Sequence, residues 1–264
     1  MKREAVVAGY FYPRSKEELI RFLSKVIKRD EHPIKAFGCI SPHAGYIYSG
    51  EVAGKVYSSI KIPETAILIG PNHRGLGYPS AIYPEGSFKT PLGEAQINEA
   101  LAHKILQASK YLKEDFSAHI PEHSLEVQIP FLQYINPQIK IVPITMSDDS
   151  LEVIEDLAES IYKNMDDETI VIASSDFSHY IPHEIAKKVD YYAIESILNI
   201  DPFEFYNRVV SKNLSICGYA PITVLLMVMK KLGIKNAKLI DYKTSGDVTR
   251  DYTSVVGYAG IIFY

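Results

Sequence analysis

Short runs of β-branched residues alternating with amphipathic helical stretches constrain this chain more than any other feature. Residues 65–69, 139–144 and 169–173 are apolar segments of strand length, rich in isoleucine and valine. Near-continuous apolar runs of this kind belong to strands buried on both faces, as in a parallel sheet covered by helices. Between them the period changes. Leu19, Phe22, Leu23, Val26 and Ile27 recur at helical spacing behind Ser15-Lys16-Glu17-Glu18, a capping box with Ser15 as N-cap and Glu18 at N3. Further helices are expected over about 50–60, 98–108, 151–162, 184–198, 202–210 and 219–232, with a short one ending near Leu132. Residues 37–40 form another strand. Residues 86–93 are turn-rich and predict short strands in an excursion from the sheet. Two last strands, 237–242 and 255–262, are joined by a polar loop over 244–251 and can pair antiparallel. The expectation is an α/β fold: a single domain over residues 1–264, with a mostly parallel central sheet flanked by helices.

Three loops that follow strand-like runs carry a histidine among turn residues. They are Ser41-Pro42-His43-Ala44-Gly45-Tyr46, Gly70-Pro71-Asn72-His73 and Ser174-Ser175-Asp176-Phe177-Ser178-His179. In an open α/β sheet the carboxyl ends of the strands share the edge where ligands bind, so these histidines can converge. Imidazole is the commonest metal ligand and the usual proton carrier near neutral pH, which points to a metal site. Taken singly, each reads equally as a surface-loop histidine. Asp176 either orients His179 or caps the turn that follows it. His123, between Glu122 and Ser124, is a substrate contact, a base near the metal, or an exposed residue at a helix start. His32, His103, His119 and His183 lie in charged or helical-surface contexts and are read as structural or solvated.

The chain has two cysteines, and no signal favours a disulfide between them. Cys39 lies within a strand-like run and reads as a small buried apolar residue. Cys217, in Ile216-Cys217-Gly218-Tyr219-Ala220-Pro221, opens a helix, where a thiolate is favoured. Thiolate together with imidazole favours zinc, copper or iron over magnesium or calcium. Neither a G-x-S-x-G elbow nor a phosphate-binding P-loop pattern is present.

The composition narrows the partners. Net charge is −4, with acids and bases interspersed, so no basic stripe favours nucleic acid. No apolar run approaches membrane-span length; the longest, 219–229, leads into Lys230 and Lys231 and fits a buried helix. Met1-Lys2-Arg3-Glu4 is charged too early for a signal peptide, and the cytoplasm is the expected location.

Six motifs in order resemble the Memo-like family along the whole chain: Ala8-Gly9-Tyr10-Phe11-Tyr12-Pro13, the His43 loop, the His73 loop, Glu122-His123-Ser124-Leu125-Glu126, the His179 loop, and Ile216-Cys217-Gly218. That family resembles class III extradiol ring-cleaving dioxygenases, which hold non-haem iron(II) between two histidines and a carboxylate. The resemblance implies His43, His73 and Cys217 as metal ligands, with the cysteine where the dioxygenases have their carboxylate. It places Asp176, His179 and His123 in the same pocket, with His179 as the acid–base group. Iron(II) or copper is the implied metal, with zinc less favoured, and the implied activity is redox chemistry on a small molecule. Thiolate is softer and more easily oxidised than carboxylate, so ring cleavage itself is not carried over. A second reading is a non-catalytic module that binds a peptide on a dioxygenase-like scaffold. A third is a metal-activated hydrolase with zinc-bound water.

Overall fold

The strand Thr65–Pro71 occupies the middle of the sheet and is buried along its whole length. Lys140–Met146 lies parallel to it on one side and Thr169–Ser174 parallel on the other. Gly38–Ser41 continues the parallel order beside Thr169–Ser174, with Ser41 level with Ser174. The computed structural model that gives this architecture describes residues 1–28 and 30–264.

The closing strand Val255–Phe263 runs antiparallel to Gly38–Ser41 and forms a hairpin with Ala237–Thr244. The antiparallel pairing expected of the last two strands is thus present. The loop between them contains one short helix, Gly246–Thr249, which the polar composition did not indicate. At the other end, Ser87–Thr90 and Gly93–Ile97 form a hairpin, and Gly93–Ile97 pairs parallel with Lys140–Met146. The expected excursion from the sheet is therefore an extension of it. Gln96 and Ile97 bond across to Lys140 and Ile141, so these strands satisfy their backbone groups within the sheet.

Helices cover both faces. Tyr219–Lys231 is buried from Ala220 through Met229. It presses on the sheet where Gly38 has no side chain, since a Cβ there would lie 2.5 Å from Leu225 Cδ1. On the opposite face Tyr46–Ser59 comes equally close at Gly260, where a Cβ would lie 2.3 Å from Val56 Cγ2. This helix starts at Tyr46, earlier than its apolar periodicity indicates, because Gly45 in extended backbone serves as its N-cap. The Lys16–Val26 helix is capped as expected, with the Glu18 N–H donating to Ser15 Oγ at 3.1 Å. Among the described residues no helix is long and apolar enough to cross a membrane.

Candidate metal centre

Because Gly38–Ser41, Thr65–Pro71 and Thr169–Ser174 are parallel neighbours, their following loops leave the same sheet edge. His43 follows the first, His73 the second, and Asp176 the third. The imidazoles of His43 and His73 meet edge to face with centroids 5.1 Å apart, and His123 joins them at 5.5 Å from His43 and 4.7 Å from His73.

The protonation of each ring follows from its partners. Ser174 Oγ donates its single hydrogen to the Ser124 carbonyl at 2.6 Å and accepts from Gln128 Nε2 at 2.8 Å. Gln128 is held in that orientation by the Pro42 carbonyl, which accepts from its Nε2 at 2.9 Å, and by the Tyr57 hydroxyl, which donates to its Oε1 at 2.8 Å. Ser174 Oγ can therefore only accept from His43 Nδ1, 3.0 Å away. The His43 proton sits on Nδ1, and Nε2 presents a lone pair. Burial holds this imidazole well below its ordinary pKa, helped by the neighbouring His73, His123 and His179, so it is neutral at physiological pH.

His73 is fixed by Glu122. The carboxylate accepts the His73 N–H at 2.6 Å through Oε2 and its ring Nδ1–H at 3.0 Å through Oε1. Oε1 also receives the N–H groups of His123 and Ser124 and lies 3.3 Å from His123 Nδ1. One carboxylate thus faces the Nδ1 atoms of two imidazoles, and neither Nε2 makes a hydrogen bond among the described residues. Burial alone would raise the pKa of Glu122, but His73 and the backbone donors outweigh it and bring it down to about 2. Burial lowers His123 to about 4, against the pull of Glu122.

Cys217 lies one residue before Gly218, the N-cap of the Tyr219–Lys231 helix. Its Sγ is 3.2 Å from His43 Nε2 and accepts the Asp176 N–H at 3.3 Å. His43, His73 and Cys217 each offer a ligand atom within 4.8 Å of the other two. Bond lengths of about 2.0–2.3 Å from nitrogen and sulfur to one ion are compatible with that spacing. The helix start was expected to favour a thiolate. Instead burial, followed by the charge of Asp176, pushes the thiol up, because the desolvation outweighs the helix end. Without a cation the sulfur keeps its proton, facing the His43 lone pair.

Asp176 does neither of the two things expected of it. Its Oδ1 accepts the N–H groups of His43 at 2.8 Å and Ala44 at 3.3 Å, so it fastens the first histidine loop and not the His179 ring. His179 is instead oriented by Ser215, whose carbonyl accepts from Nδ1 at 2.8 Å. A carbonyl only accepts, so His179 too carries its proton on Nδ1.

Several residues that build the site had no assigned role in the sequence reading: Glu122, Ser174, Gln128 and Ser215. A carboxylate adjacent to a histidine in Glu122-His123 was the one available signal. His119, read as structural or solvated, is structural: it is 1% exposed, and neither ring nitrogen has a partner among the described residues. Cys39 is fully buried, as expected.

An α/β sheet edge thus brings imidazoles and a thiol to a spacing at which they could hold a metal ion. The model of the Memo-like protein family matches residues 3–262, and the chain belongs to that family. A MEMO1 family protein of Thermotoga petrophila is 41% identical, with all of both chains covered. Another, of Desulfurococcus amylolyticus, is 42% identical over all of this chain and 99% of its own. Among solved structures, an uncharacterized protein, JW3007, of Escherichia coli K12 is similar with a TM-score of 0.60. It is 14% identical and covers 85% of this chain and 98% of its own, a likeness of fold.

Proposed function

We propose that this protein is a metal-dependent redox enzyme in which His43, His73 and Cys217 hold iron or copper. The observation that carries this reading is the convergence of one nitrogen from each of His43 and His73 and the Cys217 sulfur within 4.8 Å. His43 is neutral and presents its Nε2, so this ligand need not lose a proton to bind. Imidazole with thiolate selects a borderline or soft cation, and three protein ligands leave coordination positions free for a small molecule. The metal, when bound, would supply electron transfer and polarisation of a bound oxygen atom.

The remaining residues support proton handling. His179 is partly exposed, and its Nε2 makes no hydrogen bond among the described residues, which supports a role in taking a proton from an incoming hydroxyl. His123, held by Glu122 and packed on Phe11 with centroids 4.6 Å apart, offers a neutral Nε2 as a hydrogen-bond acceptor for substrate. Asp176 keeps the His43 backbone in place while its second oxygen lies 3.9 Å from His43 Nε2.

The test is anaerobic titration with iron(II) and copper, followed by elemental analysis, on the native chain, His43→Ala and Cys217→Ser. One equivalent bound by the native chain and lost in both variants is the expected result. Metal that ignores both substitutions would shift the reading to a peptide-binding module, for which the 77% exposed Tyr180 beside His179 provides a contact.

A further inference from the structure

The carboxylate of Asp190 takes no part in holding His43, His73 or Cys217. Asp190, on the helix His183–Leu198, is fully buried and has no ion-pair partner among the described residues, though it feels the charge of the nearby His179. Its Oδ1 accepts the Ser178 N–H at 3.1 Å and the Ser178 hydroxyl at 2.5 Å, and its Oδ2 accepts the Tyr242 hydroxyl at 2.7 Å. Burying a carboxylate against neutral donors is costly, and an apolar side chain would fill the space more cheaply. What the carboxylate adds is orientation of Ser178, the residue immediately before His179.

The rest of that loop is held as firmly. Phe177 donates its N–H to the Gly257 carbonyl and Gly257 returns its N–H to the Ser178 carbonyl, both at 2.8 Å. A Cβ at position 257 would lie 2.2 Å from Asp190 Oδ2, so a larger residue there would displace this carboxylate. On the far side of His179, Ser215 takes the His179 backbone N–H on its hydroxyl at 2.8 Å and the ring Nδ1–H on its carbonyl at 2.8 Å. The imidazole is therefore clamped between Ser178, anchored by Asp190, and Ser215, two residues before Cys217.

We infer that Asp190 is a positioning residue for His179: by holding Ser178 it keeps the His179 ring against the Ser215 carbonyl, which fixes the Nδ1–H tautomer and leaves Nε2 as the nitrogen that exchanges protons. Tyr242 assists by holding the carboxylate. The inference rests on His179 acting as the proton-transfer group, but its structural content is independent of any metal.

The experiment is long-range ¹H–¹⁵N spectroscopy of the full-length chain labelled at histidine nitrogens, with and without zinc as a diamagnetic probe. The native chain, Asp190→Ala, Asp190→Asn and Ser178→Ala are compared, with signals assigned through a His179→Gln control. In the native chain His179 shows a single Nδ1–H tautomer. In Asp190→Ala it becomes a mixture of the two tautomers, and Asp190→Asn, which keeps one acceptor, restores at least half of the native population. Zinc affinity and the His43 and His73 signals change by less than about threefold. If Asp190→Ala does not fold, Ser178→Ala, which removes only the hydroxyl bond, is expected to give a smaller shift in the same direction. A single native tautomer retained in a folded Asp190→Ala or Ser178→Ala chain would overturn the inference. So would a mixture already present in the native chain. Failure of zinc to bind the native chain, with the tautomer responding as expected, would count against the metal-enzyme reading alone.

Discussion

Cys217 Sγ lies 3.2 Å from His43 Nε2, and the ring nitrogen facing the sulfur carries no proton because His43 Nδ1 is committed to Ser174. The contact is thus an S–H facing a lone pair, and an incoming cation replaces that proton.

Metal binding should accordingly release about one proton per ion, from Cys217, since His43 is already neutral. A raised thiol pKa makes the free site protonated across the physiological range. Apparent affinity should then rise about tenfold per pH unit over pH 6–8. Calorimetry in buffers of different ionisation heat reads the proton count directly; a count near zero contradicts this description.

Glu122→Gln should weaken metal binding by about 10- to 100-fold without removing a ligand. The glutamine amide has one accepting oxygen where the carboxylate has two, so it cannot serve the His73 N–H at the Oε2 position and the donors at Oε1 together, and the hold on His73 loosens. Competition with a coloured chelator measures the change. Affinity within about twofold of native would show that His73 is set by something else.

His119 should make the protein sensitive to moderate acid. Burial holds its pKa down at about 3, below the ordinary 6.5, so the unfolded chain gains a proton that the native chain refuses. Its contribution to stability is complete above about pH 6.5 and is lost as pH falls from there toward 3, by up to about 1.4 kcal/mol per pH unit. His119→Leu should therefore lose about 3 kcal/mol less than native between pH 7 and pH 4, read from urea unfolding. Equal losses would rule out this role.

Arg3 and Glu126 form an ion pair with side chains 1% and 0% exposed, 2.5 Å apart. Arg3 also donates to the carbonyls of His119 and Glu122, while Glu126 accepts from Val6, Val7 and Tyr12. The N-terminal segment is thereby fastened to the loop that carries Glu122 and His123. Arg3→Met leaves Glu126 buried and unpaired and should cost about 3–5 kcal/mol of unfolding free energy. A cost below about 1 kcal/mol would mean that water or rearrangement compensates the carboxylate.

Local pattern was enough to read the framework and the donor residues. The apolar runs at 65–69 and 169–173 lie in adjacent parallel strands, and the alternation of strands with helices leads to the expectation that the loops of His43, His73 and His179 share one sheet edge. These features depend on neighbours a few positions apart, which a linear pattern records. Tertiary structure alone decided the chemical state of those donors. Glu122 meets His73 across 49 positions, Ser174 meets His43 across 131, and Asp176 bonds the His43 backbone and not the nearby His179 ring. The helix start at Cys217 was visible, but the desolvation that overrides it comes from chain segments packed around the sulfur. Which nitrogen holds a proton, and whether a thiol keeps its own, depends on distances between groups far apart in the chain, and only the packed fold sets those distances.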